Sequence, residues 1–397
     1  MSVVVIGGGP AGLMAAETLA AAGRKVTVYE RMATPGRKLL IAGRGGLNLT
    51  HSEPIEHFLA RYGEAASWLR PILEAFPPSA LIAWAEGLGQ PTFVGSSGRV
   101  FPKSLKASPL LRAWLARLAG LGVELRTRHD WRGWNERGNL IFAVDGKEIE
   151  IARPAATVLA LGGASWPKLG STGDWANILS AQGVAVTRLR PSNCGFRAAW
   201  SPAFRERFSG SPLKPAVFSF GQQRVRGEAV ITASGIEGGA VYALSAALRD
   251  AIESKGEAML EIDLSPDAAL DRLCAKLDRP ARGQSFSTFL RKSARLSPVA
   301  INLLREAHAE LAREPAALAG QIKAVRIPLL GTGPIERAIS TAGGVSRSAV
   351  DARLGLRTLP DVFVAGEMLD WEAPTGGYLL QASLATGAAA ARAILTA

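Results

Sequence analysis

The first thirty residues constrain this chain more than any other feature. A β-branched run, Val3 to Ile6, leads directly into Gly7-x-Gly9-x-x-Gly12. An Ala/Leu-rich stretch follows to Ala22, closed by Gly23, and Val26 to Tyr29 then ends at Glu30. The order predicts a buried strand, a helix and a second parallel strand. Each glycine has its own task. Gly7 permits the tight turn, Gly9 lets backbone approach a pyrophosphate, and Gly12 lets the helix pack on the strand. Pro10 and Ala11 open the helix, whose free N–H groups and positive dipole end suit the pyrophosphate. Glu30, eighteen residues after Gly12, stands where both hydroxyls of an adenosine ribose can be accepted. Arg31 follows it. The unit reads as a dinucleotide site.

The other end of the chain selects the dinucleotide. Thr358-Leu-Pro-Asp-Val-Phe-Val-Ala-Gly366-Glu367 places an acid just past a buried strand that would join the same sheet. Flavin-binding Rossmann proteins use an acid there for the ribityl hydroxyls. Gly376-Gly377-Tyr378 then opens the last helix, whose N–H groups could meet the flavin O2 and favour negative charge on the reduced ring. FAD is therefore expected, bound non-covalently. A second glycine-rich loop runs from Pro35 to Asn48, and its cations Arg37 and Lys38, with Leu40, Gly46 and Asn48, suit the pyrophosphate and the flavin edge.

Four ordered motifs carry a resemblance. They are Gly36-Arg-Lys-Leu-Leu-Ile, Gly98-Arg-Val-Phe-Pro-Lys103, Ala160-Leu-Gly-Gly-Ala-Ser-Trp-Pro-Lys-Leu-Gly-Ser-Thr-Gly173, and Ala365-Gly-Glu-Met-Leu-Asp370 with Thr375-Gly-Gly-Tyr378. Over nearly its whole length the chain resembles the aminoacetone-oxidase-family FAD-binding enzymes, which include bile-acid-inducible-type NAD(P)/FAD-dependent oxidoreductases. The resemblance implies an α/β fold: a Rossmann-type FAD domain with parallel sheet and β-meander, an inserted β-barrel-like lobe and a helical lobe. It implies FAD contacts at Gly7, Gly9, Gly12, Glu30, Lys38, Gly163 beside Gly162, Gly366, Glu367, Asp370 and Gly377 beside Gly376. An amine or enone-like substrate is what the family suggests. The chain departs from the family at Arg44-Gly-Gly-Leu-Asn48, usually Gly-Gly-Arg-Cys-Asn-like, and at Leu379, usually Asn.

Organisation follows from texture. Helices separated by Pro77-Pro78 and a loop at Gly95 to Lys103 are expected over 55–120. Three short strands then surround Trp131 to Trp134, Leu140 to Val144 and Glu148 to Ile151, with Asp145-Gly146 a tight-hairpin signal. Trp131 should sit near the adenine end, where backbone contact matters more than its side chain. Thr157 to Leu161 returns as a buried strand. The FAD domain is expected over 1–190 and 331–397, with a substrate-side insertion over 191–330, β-rich to about 265 and helical beyond. A small-molecule substrate would lie between the two.

Composition removes other classes. Of 397 residues, 48% are hydrophobic and 20% charged, which supports a large core and rules out a disordered chain. Two cysteines, Cys194 and Cys274, make neither a disulfide scaffold nor a dithiol redox centre, and four scattered histidines argue against a metal site. The first 23 residues are broken by Gly7 to Pro10 and lack a basic n-region, so neither a signal peptide nor a membrane span is expected. A cytoplasmic protein is. Net charge is +12, and from Asp271 to Arg295 seven basic residues (Arg272, Lys276, Arg279, Arg282, Arg291, Lys292, Arg295) meet two acids. With Leu273, Leu277, Phe286, Phe289 and Leu290 needed for packing, this reads as a solvated face of helices rather than a nucleic-acid interface.

No second strand-GxGxxG-helix exists: Gly235 to Gly239 and Gly331 to Gly333 have the wrong spacing or setting. Either substrate reduces FAD directly, or NAD(P)H docks without its own Rossmann domain. No catalytic residue stands out. His51 could act near the flavin or be a solvated loop histidine, and Tyr378 could face the ring or pack into the core. Hydride transfer at flavin N5 needs orientation more than a strong base, so an FAD-dependent oxidoreductase is still expected. A non-catalytic flavin-binding sensor and a flavin enzyme acting on nucleic acid are the alternatives. Oligomeric state is not readable.

Overall fold

The computed structural model describes residues 2–43, 45–278 and 283–396. Arg279 and Arg282 of the basic stretch lie outside them. The chain divides into two compact units, Met1–Arg190 with Ile339–Ala397, and Pro191–Ala338.

The first unit is built on a six-stranded sheet. Strand β1 (Ser2–Ile6) is central, pairs in parallel with β2 (Lys25–Tyr29), and is buried from Val3 to Ile6. Helix α1 (Pro10–Ala21) crosses between them, closed by Gly23 at φ +76° with its N–H on the Ala20 carbonyl. On the other side of β1 lie Ala156–Leu159 and then Leu359–Val364, both parallel, so the two chain ends meet in one sheet. Unbroken apolar runs suit strands covered on both faces. One cover is the C-terminal helix Tyr378–Leu395, whose small residues allow close approach to α1. A β-carbon on Gly387 would come 2.2 Å from the Ala11 carbonyl oxygen.

The meander forms as expected from Asp130–Trp134, Leu140–Val144 and Lys147–Ile151. Asp145 and Gly146 take φ +48° and +77°, the left-handed pair of a two-residue hairpin. Two expectations are corrected. The presumed loop at Gly95 to Lys103 is mostly a hairpin, Thr92–Val94 with Arg99–Pro102, paired in turn with Thr50–His51. Its arms are only three or four residues long, too short to show a period. The second glycine loop contains a helix, α2 (Arg37–Ala42), entered through Gly36 at φ +68°.

The second unit holds a seven-stranded sheet, and its later part is helical, with Leu270–Leu277, Phe286–Ser293, Pro298–Ala307 and Pro315–Lys323 among its helices. In the sheet order, Val325–Leu329 is at one end and Gly331–Thr332 at the other, yet only Leu330 separates them in the chain. One residue spans about 3.3 Å, whereas seven flat strands would hold their edges several strand spacings apart. The sheet must therefore roll. Gly331–Thr332 pairs with Phe196–Arg197, so the return to the first unit comes at Ile339 and not at Gly331. On the first two of these helices Leu273, Leu277, Phe289 and Leu290 are buried, while Arg272, Lys276, Arg291 and Lys292, and Arg295 just beyond them, are exposed.

Candidate functional site

A cavity of about 570 Å³ opens within the first unit, of a size that takes an organic cofactor. The glycine turn forms its floor, and the three glycines divide their work by geometry. Gly7 sits at φ +109°, and a β-carbon there would fall 2.2 Å from the Ala160 carbonyl oxygen. At Gly12 it would fall 1.9 Å from the Gly7 carbonyl oxygen, so Gly12 serves helix packing and does not reach the cavity wall. Gly9 is the opposite case. It lines the cavity at φ −85°, with nothing within 4 Å of the place its β-carbon would occupy. The first turn of α1 has no side-chain cap, which leaves its amides for an anion.

At one end stand Glu30, Arg31 and Trp131. Glu30 accepts from the Gly8 N–H at 2.8 Å through Oε2 and from the Met32 N–H at 2.7 Å through Oε1. Burial pushes its carboxyl up, against the pull of those two bonds and of nearby Arg31 and Arg37. Each oxygen keeps a lone pair for a ribose hydroxyl. Arg31 donates to Thr172 Oγ1 at 2.7 Å and pairs with Asp130 at 3.4 Å, tying the end of β2 to two other walls. The cations split: Lys38 Nζ meets Glu367 Oε2 at 2.7 Å and Ser165 Oγ at 2.9 Å, while Arg37 lines the cavity with its Nε free. Glu367 also accepts from the Gly163 and Thr341 N–H groups, at 3.2 and 2.9 Å.

Six buried side-chain polar atoms lack a hydrogen-bond partner among the described residues, and three belong to the cavity wall: Arg37 Nε, Asn48 Oδ1 and Trp131 Nε1. Buried polar groups are nearly always paired, so two donors and an acceptor left over on residues that line one cavity fit a polar ligand. Trp131, where sequence reasoning looked only to the backbone, lines the cavity with its indole N–H unpaired.

Gly7, Gly9, Pro10, Ala11, Glu30, Arg31, Arg37, Lys38, Gly46, Asn48, Trp131, Gly162, Gly366, Glu367, Gly376 and Gly377 all line the cavity. Gly12, Leu40, Gly163, Asp370 and Tyr378 do not. Leu40 points outward from α2, whereas Leu39 and Ile41 line the wall. Gly163 faces Thr341, where a β-carbon would meet Oγ1 at 2.3 Å. Asp370, whose N–H bonds the Val345 carbonyl, is absent from the wall, and the neighbouring Trp371 lines it. Tyr378 is buried among Phe58, Tyr62 and His51. Its hydroxyl donates to Glu53 Oε1 at 2.5 Å, and burial followed by that carboxylate pushes it up. His51 contributes no lining atom: Nε2 donates to the Ser97 carbonyl at 2.9 Å and Nδ1 accepts from the Glu53 N–H at 3.1 Å. Wall residues that sequence reasoning passed over include Leu161, Trp166, Thr172 and Trp175. The first three lie inside the Ala160 to Gly173 motif, which was the available signal.

A family model described as the HI0933-like protein Rossmann domain matches residues 1–393. The chain belongs to that family. It is similar to the 3-dehydro-bile acid delta(4,6)-reductase of Clostridium scindens, 27% identical over 408 residues and covering 98% of each chain. It is also similar to the ribosomal RNA dihydrouridine synthase of Haemophilus influenzae, 25% identical over 410 residues, covering 95% of this chain and 94% of that one. Among solved structures, the 3-ketosteroid delta1-dehydrogenase from Sterolibacterium denitrificans aligns with a TM-score of 0.54 at 13% identity, covering 99% of each chain. This HI0933-like protein is an FAD-dependent oxidoreductase, and the glycine cradle and unpaired wall groups fit its FAD. Among the described residues no helix is long and apolar enough to cross a membrane, and no cluster of three or more His, Cys, Asp or Glu is placed to hold a metal.

Proposed function

We propose that the protein reduces a carbon–carbon double bond conjugated to a carbonyl, in a small organic molecule, with FAD in the cavity of the first unit. The reading rests above all on that cavity, where Gly9 leaves room at the amide end of α1 for a pyrophosphate. Glu30 and Trp131 would hold the adenosine, and Asn48 with Gly376-Gly377 the flavin. When bound, FAD supplies hydride at N5 of its reduced ring. The chain orients it: Gly376 and Gly377 bring the uncapped start of the last helix to the cavity. The two full-length relatives support the reaction class, since a delta(4,6)-reductase of a 3-dehydro-bile acid and a dihydrouridine synthase are both named for hydrogenating a double bond conjugated to a carbonyl. In this reaction the β-carbon would take a hydride and the α-carbon a proton from water, with NAD(P)H as the external two-electron donor.

A second reading, a uridine in RNA, has two supports. One is the synthase relative, and the other is the exposed cations of the second unit. Against it, Phe289 is buried and Phe286 lies under Arg313 at 4.3 Å, so those aromatics offer no base-stacking platform. The test is anaerobic: bleach the flavin with NADH, NADPH or an amine as the electron donor, then add a cyclic enone or a uridine-containing transcript as the acceptor. Reoxidation by the enone alone supports the proposal. Reoxidation by the transcript alone replaces it with the second reading, and no bleaching or reoxidation by any partner leaves a sensor.

A further inference from the structure

We propose that Phe93, Phe101 and Leu105 form a docking strip for the apolar body of the substrate, with Leu105 setting the preference; this rests on the reductase reading. Phe93 and Phe101 face each other across the hairpin, ring centroids 5.8 Å apart and 28° from parallel. Phe93 is 39% exposed. Leu105 follows in the next turn, its N–H on the Pro102 carbonyl and its own carbonyl accepting from the Leu47 N–H, both at 2.8 Å.

Leu105 is odd twice over. It is a branched apolar residue at φ +57°, a region that favours glycine, and it is 46% exposed. Folding alone would select neither feature, and strained residues gather at ligand sites. Its position supplies the reason. A β-carbon on Gly46 would meet the Phe101 ring at 3.7 Å and Leu105 Cδ2 at 3.8 Å, so both side chains lie over Gly46. Gly46, with Leu47 and Asn48, lines the FAD cavity. The strip therefore runs from solvent to the cavity edge. Exposed apolar groups leading to a cavity that carries a few polar groups suit a ligand with a greasy body and one reactive polar end. A fused-ring ketone has that form.

The test uses FAD-loaded protein, reduced anaerobically and reoxidised by three enones of rising apolar area: cyclohexenone, a bicyclic enone and 4-androstene-3,17-dione. Apparent Kd comes from the saturation of the reoxidation rate. Leu105→Gly relieves the left-handed strain, so it should fold and hold FAD at least as well as the parent. Kd should fall along the series in the parent. Leu105→Gly should raise the steroid's Kd about tenfold, roughly the worth of one buried leucine, and cyclohexenone's least. Leu125→Ser, an exposed leucine on an outer strand, should match the parent throughout. Equal steroid Kd in Leu105→Gly and parent, or a flat series in the parent, overturns the strip and leaves the reductase reading standing. Weakened binding of a uridine transcript in place of the steroid also overturns it. Reduced FAD that no enone reoxidises overturns both.

Discussion

Gly9→Ala separates the cofactor role of the first turn from its structural role. A methyl group at Gly9 meets no protein atom within 4 Å, and φ −85° with ψ −178° is open to alanine. Replacing glycine stiffens the unfolded chain and stabilises by about 0.4–1 kcal/mol. Alanine loses about 1 kcal/mol relative to glycine at a helix N-cap, which largely offsets that gain, so stability should stay within about 1 kcal/mol of the parent, or about 2–4 °C in Tm. The methyl instead enters the space assigned to the pyrophosphate. Losing one or two charge-assisted hydrogen bonds there costs about 2–4 kcal/mol, which raises the Kd for FAD about 30- to 700-fold. Calorimetric titration of apo-protein with FAD, beside a thermal melt, reads both quantities. Unchanged FAD affinity would refute the placement of the pyrophosphate. A large fall in Tm without FAD would refute the open space.

Other outcomes follow from the same geometry. Gly7→Ala and Gly12→Ala should lose soluble apo-protein, because their β-carbons fall 2.2 and 1.9 Å from carbonyl oxygens; soluble yield and melting show it. Burial raises the Glu53 carboxyl, but the bonds from Arg61 and Tyr378 outweigh it and hold Glu53 below its ordinary value. Its contribution is thus present above the usual carboxylate range and lost as pH falls through the lowered value. Tyr378→Phe should cost about 1–3 kcal/mol at neutral pH, with a smaller loss on acidification, read from urea midpoints across pH. Affinity of the second unit's cations for RNA should vanish by about 0.15 M salt; sequence-selective micromolar binding that persists would favour the RNA reading.

Sequence made the FAD frame legible because its constraints are local. The spacing from Gly7 to Glu30 belongs to one βαβ unit, and Asp145-Gly146 fixes a turn by backbone conformation alone. The start of the last helix at Tyr378 is equally local. What failed depended on neighbours distant in sequence. Asp370 sits in a segment whose N–H pairs with the distant Val345 carbonyl, and Tyr378 packs inward against Glu53 and Phe58. Leu40 was misplaced because a loop has no phase, whereas in the helix α2 it points away from Leu39 and Ile41. The rolled sheet of the second unit is set by pairings such as Phe196 with Thr332, which no local pattern announces.

Product analysis of a single anaerobic turnover bears most directly on the central claim. Protein with stoichiometric reduced FAD is mixed with excess cyclic enone, and the product is identified by mass and NMR. One saturated ketone per FAD reoxidised, absent when Gly9→Ala protein without FAD is used, is the predicted result. Flavin that stays reduced in the presence of the enone, or that reoxidises without forming the saturated ketone, would contradict the account.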